Sequence, residues 1–242
     1  MYACNCFVVN VTPGFIALHM HVIILFLDWQ FIILKERWFP GKISTSIGKG
    51  VLSSIQAKLF DRQKLIMKGT CFAHFFDCHE IVVQSQLIHY FLLRQVQQPN
   101  PKEMWFLVAG RYVRFFISEF CIFMGLRCSG DSDTGIFESR QSQLKNKYFS
   151  QVDTMTHEDV KSTFIFACQM PDLDLVETLP DHDVALIGIL YFVTAHLFPR
   201  DYKKVVDHYL FTLVEDFPEL NSFPWGKLLF EITLSSLKDA LS

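Results

Sequence analysis

The stretch from Asp183 to Phe198 limits the fold more than any other segment, because it is apolar on nearly every face of a helix. It reads DVALIGILYFVTAHLF and is followed by Pro199, a residue that cannot continue a helix. A membrane-spanning helix needs about 20 apolar residues, so this segment is too short to cross a bilayer comfortably. The pattern predicts a central helix that other elements surround on all sides.

Composition and charge are those of a globular chain without a strong electrostatic field. Half of the 242 residues are hydrophobic, which is enough for one large core. The formal net charge is -3, so no clear nucleic-acid surface is expected, and the cluster of Lys58, Arg62, Lys64 and Lys68 is interpreted as a solvated helix face. Seven cysteines, mostly in apolar surroundings, indicate free thiols in a reducing intracellular compartment, for which the nucleus and the cytoplasm fit equally well.

The first fifty residues differ from the rest of the chain. Residues 14–34 form an apolar run long enough to span a bilayer as a helix, which leaves membrane attachment open as an alternative. Asp28 opposes that alternative, because an aspartate near the centre of a membrane helix costs on the order of 3 kcal/mol. The predicted organisation is therefore an atypical apolar leader and linker over residues 1–50 and a helical domain over residues 51–242. Residues 1 to 45 are expected to pack weakly or not at all on that domain.

The apolar spacing from Val51 onward is mainly helical, with one exception. Met104 to Val108 and Tyr112 to Phe115 predict two short strands joined by a tight turn at Ala109-Gly110. Residues 128–151 lose the periodicity and gain Ser, Asp and Gly, which predicts a long exposed loop. The predicted fold class is α+β, mainly α-helical, a single domain with one small β-hairpin.

Clusters of titratable side chains have simple structural interpretations. Cys71, His74, Cys78 and His79 are zinc-ligand types, but their spacing lacks the paired knuckles of a structural zinc site and the segment is rich in phenylalanine. Core packing is the favoured interpretation. The carboxylates of residues 157–159 and 181–183 lie at predicted helix starts, where capping is favoured over acid–base chemistry. No catalytic residue, metal or cofactor is predicted.

Two motifs about a hundred residues apart, EMWFLVAGRYVRF and FPWGKLLFEITLSSL, point to a family. Together with CFAHFF, LIHYFLLRQV, SEFCIFMGL and LIGILYFV, they resemble the plant domain of unknown function DUF1985 over about residues 65 to 240. Domains of that family occur beside SUMO-protease-like cysteine peptidase domains in Mutator-type transposon-derived proteins. The positions carried over as family-motif residues are Trp105, Gly110, Arg111, Arg114, Phe115, Gly125, Leu126, Pro224, Trp225 and Gly226.

The resemblance implies a non-catalytic accessory or protein-interaction domain, with protein partners or a linked peptidase domain in a longer protein. The chain is not expected to be the peptidase itself, because the Asp-Cys-Gly nucleophile motif is absent; the nearest strings are Asp77-Cys78-His79 and Cys128-Ser129-Gly130. An enzyme of unknown type is the third hypothesis, after membrane attachment. At the hairpin, where the family usually has Asn-Gly, this chain has Ala109-Gly110.

Three motif side chains carry specific expectations. Arg114 is expected to lay its stem on the core and to pair its guanidinium with a carboxylate. Arg111 is expected on the opposite face of the hairpin, because a spacing of three alternates faces along a strand. Trp105 and Trp225 are expected as core anchors, with an exposed recognition role for Trp225 as the alternative.

Overall fold

A computed structural model of the protein describes residues 21–23, 29–41, 50–78, 84–150, 154–169, 179–198 and 205–240. The predicted fold class is confirmed, because helices dominate and the strands form one small antiparallel sheet. Within this fold the chain forms two compact units. The sheet unit consists of residues 1–45, 81–130 and 224–242, and the helical unit consists of residues 46–80 and 131–223.

The strands are β1 (His21–Ile23), β2 (Gln95–Val96), β3 (Met104–Val108) and β4 (Arg111–Phe115). The α-helices over the described residues are α1 (Val51–Lys58), α2 (Asp61–Lys68), α3 (Ala73–Phe76), α4 (Ser85–Leu93), α5 (Ile117–Met124), α6 (Gly135–Glu138), α7 (Gln143–Tyr148), α8 (His157–Gln169), α9 (Asp181–Phe192), α10 (His208–Glu215), α11 (Phe217–Ser222) and α12 (Trp225–Asp239). A 3-10 turn covers Lys35–Arg37, and a π-helical turn, Val193–Leu197, continues α9.

The sheet is antiparallel throughout, with the strand order β1-β4-β3-β2. β3 and β4 form the predicted hairpin, in a register that places Trp105 opposite Arg114. Ala109 and Gly110 make the turn with φ values of 50° and 75°. Positive φ at both central residues is characteristic of a type I′ turn, whose twist matches that of the two strands. The turn therefore holds an alanine in a backbone conformation that is uncommon for residues other than glycine.

Replacing Ala109 by Asn is expected to stabilise the hairpin, because Asn adopts the left-handed backbone more readily than Ala. We expect the free energy of unfolding to rise by about 1 kcal/mol in urea denaturation. Ala109→Val is the opposing control and should lower it, since a β-branched side chain is strained at positive φ. An Asn variant that is no more stable than the original protein would show that this turn stores no strain at Ala109.

The described part of the leader pairs with the sheet through its backbone. β1 lies antiparallel to β4, with His21 opposite Arg114 and Ile23 opposite Tyr112. Phe31 forms an isolated antiparallel bridge with Val96 in β2. The expectation that residues 1 to 45 pack weakly or not at all is therefore wrong for the described residues among them.

Aromatic side chains reinforce this pairing. The Trp29 ring meets the Trp105 ring at 5.2 Å and the Tyr112 ring at 5.4 Å, both nearly edge-on. Trp29 and Phe31 pack against a buried cluster of Val96, Trp105 and Tyr112. The physical reason is that these leader side chains remove apolar area from water by covering the sheet. A domain limit after residue 50 stays a prediction.

The contribution of this packing can be measured with a single truncation. Trp29→Ala is expected to lower the free energy of unfolding by about 2 kcal/mol, roughly half the cost of removing a fully buried tryptophan, because Trp29 is partly exposed. Ile32→Ala is the matched control, since Ile32 is 49% exposed three residues further along the same segment. Equal and small losses in both variants would mean that the leader contributes nothing to the stability of the sheet unit.

In the helical unit, α9 has the central position predicted from its apolar sequence. Every residue from Val184 to Phe192 is buried. The helices α1, α2, α8 and α10 all pack against it. A Cβ atom at Gly188 would lie 3.3 Å from the Phe164 ring and 3.4 Å from the Met67 sulfur, closer than most side-chain contacts. Gly188 therefore lets Phe164 and Met67 approach the helix closely.

The prediction of a long exposed loop over residues 128–151 is wrong for its described part. Two short helices, α6 and α7, interrupt it, and Phe137, Leu144 and Phe149 are buried. The Ser142 hydroxyl accepts a hydrogen bond from the Lys145 N–H at 2.9 Å and caps α7. Apolar residues spaced too widely for one amphipathic helix still anchor two short ones, which explains why periodicity did not reveal them.

Candidate functional site

All ten family-motif residues belong to the sheet unit. Gly110 and Arg111 lie at the exposed hairpin turn, and Arg114 is half-buried further along β4. The other motif residues meet at two places in this unit. One is the β3–β4 face with the start of α5, and the other is the contact between the end of α5 and the start of α12.

The first place is organised around the Arg114 side chain. Its Nη2 atom donates a hydrogen bond to Oε1 of Glu119 at 2.6 Å. The guanidinium lies 5.8 Å from the centre of the Trp105 ring and 4.8 Å from that of Phe116, within the range of cation–π attraction. The expected pairing of Arg114 with a carboxylate is confirmed. Sequence reasoning did not name Glu119, which is 4% exposed at its side chain and enters from the first turn of α5.

The second place depends on a close approach between two backbones. The Gly226 N–H donates to the Arg127 carbonyl oxygen at 2.9 Å. A Cβ atom at Gly226 would lie 2.7 Å from the Cys121 sulfur and 2.9 Å from the carbonyl oxygens of both Leu126 and Arg127. Gly125 ends α5 with a φ of 64°, which directs those carbonyls towards α12. The motifs SEFCIFMGL and FPWGKLLFEITLSSL therefore touch each other in the fold.

The aromatic residues around this contact are buried. Trp225 is 1% exposed, so its interpretation as a core anchor is confirmed and the alternative of an exposed recognition role is wrong. Trp105 is 5% exposed, which confirms the same role there, and its indole N–H donates to the Glu103 carboxylate at 2.9 Å. The Phe115 ring lies 5.1 Å from the Phe230 ring of α12. These motif side chains serve packing.

Replacing Gly226 by Ala tests the close approach. In an ordinary helix this change would raise the free energy of unfolding by about 1 kcal/mol. Here we expect the free energy of unfolding to fall by about 3 kcal/mol, because the new methyl group clashes with fixed backbone atoms. The measurement is thermal or urea unfolding. In a Cys121→Ala background the loss should persist, since the Leu126 and Arg127 carbonyls still block the methyl group. Full recovery in that background would show that only the sulfur limits the approach.

Three thiols in the chain are held in their protonated form. Burial raises the pKa of the Cys71 and Cys121 thiols to about 12 and that of the Cys168 thiol to about 11. For Cys121, a hydrogen bond with Cys128 raises the pKa further. The thiolate is the nucleophilic form of cysteine, so these three residues are poor nucleophiles at neutral pH.

The residues of zinc-ligand type are engaged in other contacts. The Cys71 sulfur donates to the Leu220 carbonyl at 3.6 Å, and the Cys78 sulfur donates to the His74 carbonyl at 3.2 Å. His79 lies outside the described residues. Within the part of the chain that the structure describes, no group of three or more His, Cys, Asp and Glu side chains could hold a metal ion.

The two acidic clusters that were assigned to helix starts are found there. Asp159 accepts hydrogen bonds from the Thr156 N–H at 2.8 Å and from the Thr156 hydroxyl at 2.6 Å, at the start of α8. Asp183 lies in the first turn of α9 and accepts from Lys147 at 2.7 Å and from the Tyr148 hydroxyl at 2.5 Å. Burial alone would raise the pKa of Asp183, but these two donors lower it below its usual value. Asp159 thus caps the start of α8, whereas Asp183 joins the first turn of α9 to two side chains of α7.

His196 is a partly buried titratable group that the sequence did not single out. It lies in the π-helical turn after α9, where its ring stacks on Phe192 at 5.2 Å and meets Phe75 at 6.2 Å. Burial lowers the pKa of His196 to about 4, because the charged imidazolium would lose its hydration. His157, at the start of α8, also has a pKa lowered by burial, and its Nδ1 atom lies 3.2 Å from the Thr194 hydroxyl.

Protonation of His196 is expected to destabilise the fold in acid. Between its usual pKa of 6.5 and about 4, the unfolded chain binds a proton that the folded chain does not, so stability falls as the pH falls. In urea denaturation, the free energy of unfolding should be lower at pH 5 than at pH 7 by about 2 kcal/mol because of His196. His196→Leu should remove this part of the pH dependence. An unchanged slope in the Leu variant would contradict the assignment.

An open depression of about 500 Å³ in the helical unit has charged groups in its wall. Arg140 and Asp216 form an ion pair there at 3.4 Å, and Asp216 also caps α11 by accepting from the Glu219 N–H. Glu215 accepts hydrogen bonds from the Ser142 hydroxyl and the Leu144 N–H at the start of α7. These side chains hold a loop and two helix ends, and they form no nucleophile–base pair.

The fold and the site define a mainly helical α+β module in which the motif residues join the small sheet to the helices α5 and α12. The chain belongs to the family described as Domain of unknown function (DUF1985), whose model matches residues 92–236, more than half of the chain. The match begins after CFAHFF, so it is narrower than the resemblance over residues 65 to 240. No curated protein and no solved structure matches the chain.

Every helix among the described residues is too short or too polar to span a bilayer. Of the apolar run at residues 14–34, the part at 21–23 forms β1, and residues 29–34 precede the 3-10 turn. Residues 14–20 and 24–28 lie outside the described part of the chain.

Proposed function

We propose that the chain is a non-catalytic accessory domain that binds a protein partner through the exposed side of α5. The observation that carries the proposal is that the motif SEFCIFMGL contains both buried residues and exposed apolar ones. Glu119, Phe120 and Cys121 are buried by packing, whereas Ile122 is 75% exposed and Phe123 is 36% exposed. Most of the Ile122 side chain therefore lies outside the packing that the rest of the motif performs, and Phe123 next to it is partly exposed. Exposed apolar area of this kind is a common feature of interaction surfaces.

The partner that fits this proposal is the SUMO-protease-like peptidase domain that accompanies members of the family in transposon-derived plant proteins. The support for this pairing is the resemblance, together with the use of the motif residues for packing. The raised pKa values of Cys71, Cys121 and Cys168 also favour an accessory role over a thiol-based catalytic one.

Ile122→Glu tests the surface directly. A central apolar side chain of an interface contributes about 2 kcal/mol or more, so the variant should bind a SUMO-protease-like peptidase domain from a longer family member at least about 30-fold more weakly. Isothermal titration calorimetry gives the affinity, and thermal unfolding checks that the fold is retained.

Ile136→Glu is the matched control. Ile136 is 60% exposed on α6, outside the family motif, and its substitution introduces the same charge. The control should bind as the original chain does. Absence of binding by the original chain, or equal weakening in both variants, would refute the proposed role of α5.

A further inference from the structure

A second surface lies in the helical unit, between α1, α2 and α3. It is a groove of about 260 Å³ whose lining is mostly apolar. The apolar lining residues belong to the core of this unit and are at most 8% exposed: Ile55, Leu59, Met67 and Phe76. The polar residues of the lining are Gln56, Lys64, Lys68 and Asp77. An apolar floor with ionised groups above it can hold a ligand that is itself partly apolar and partly charged.

The rim of the groove carries more positive than negative charge. Lys64 and Lys68 are one helical turn apart on α2 and both line the groove. Lys68 pairs with Asp77 at 3.3 Å, and both side chains are more than half exposed. Lys64 reaches Asp61 only at 4.0 Å, and the Asp61 side chain is fully exposed, so solvent screens this pair strongly. Lys64 can therefore exchange Asp61 for the carboxylate of a ligand at little cost.

The size of the groove favours a protein segment as its occupant. Sites for cofactors and drug-sized molecules usually enclose about 300 to 1,000 Å³, and this groove is smaller. The available volume suits one or two apolar side chains of a peptide, which is how anchor residues dock at protein interfaces.

We propose that this groove binds an acidic peptide segment of a partner protein, with one large apolar side chain on the floor and flanking carboxylates on Lys64 and Lys68. The site is independent of the surface proposed on α5, because residues 55–77 lie outside the family match and belong to the other unit. Lys64 and Lys68 belong to the cluster that was interpreted from the sequence as a solvated helix face, and the proposal gives these two lysines a role in binding carboxylates.

The test uses the full chain and two fluorescein-labelled peptides. Both contain the apolar pair Phe-Leu, flanked on each side by two glutamates in one peptide and by two lysines in the other. Fluorescence anisotropy should show saturable binding of the glutamate peptide, at least tenfold tighter than binding of the lysine peptide. Raising the salt from 50 to 500 mM should weaken it, since rim charges act through solvent.

The variant K64Q/K68Q should weaken binding of the glutamate peptide at least tenfold. K161Q/K227Q removes the same charge from outside the groove and should leave the affinity within about twofold, on the scale of long-range electrostatics alone. Thermal unfolding verifies that both variants fold. Absent binding of the glutamate peptide, equal binding of the two peptides, or equal weakening by both double variants would overturn the proposal. The Ile122→Glu variant should bind the glutamate peptide normally, so failure here is distinguishable from failure of the α5 surface.

Discussion

Burial of α9 is the constraint on which the helical unit depends. A helix with apolar side chains on every face cannot lie at a surface, so the surrounding chain must supply partners on all sides. α1, α2, α8 and α10 do so, and Gly188 lets α8 and α2 approach closely. The same burial extends into the π-helical turn, where His196 stays uncharged among phenylalanine rings. Its pKa is lowered because most of its side chain is removed from water in this turn.

The sheet unit has a different organising contact, and it explains why a family without a known reaction has recognisable motifs. Gly226 leaves no room for a side chain because the carbonyl oxygens at the end of α5 occupy that space. Arg114 and Glu119 join β4 to the start of the same helix. Glycines, an ion pair and aromatic anchors in these motifs satisfy packing requirements at fixed places. Motifs of this kind identify a fold, and Ile122 is the motif residue whose exposed apolar side chain the packing does not explain.

The parts of the fold that the sequence revealed are those whose signal is local. The apolar run of α9 and the Ala109-Gly110 hairpin each lie within one short segment, and both were predicted correctly. The parts that it missed depend on distant partners. The packing of Trp29 against Trp105 becomes visible only when the sheet exists, and the helices α6 and α7 depend on single buried anchors such as Phe137. The same distinction holds at the candidate site. The sequence predicted that Arg114 would pair with a carboxylate, but it did not identify Glu119 as that partner.

The sheet unit is assembled from three separated segments of the chain, and this arrangement has a consequence for its synthesis. α5 and the hairpin leave the ribosome well before α12, because residues 131–223 are made in between. At translation rates of about 5 to 20 residues per second, that interval lasts roughly 5 to 20 seconds. During it, Phe115 and Phe120 lack the Phe230 ring that covers them in the finished fold. During synthesis, the sheet of this protein therefore exposes apolar side chains for several seconds before α12 covers them.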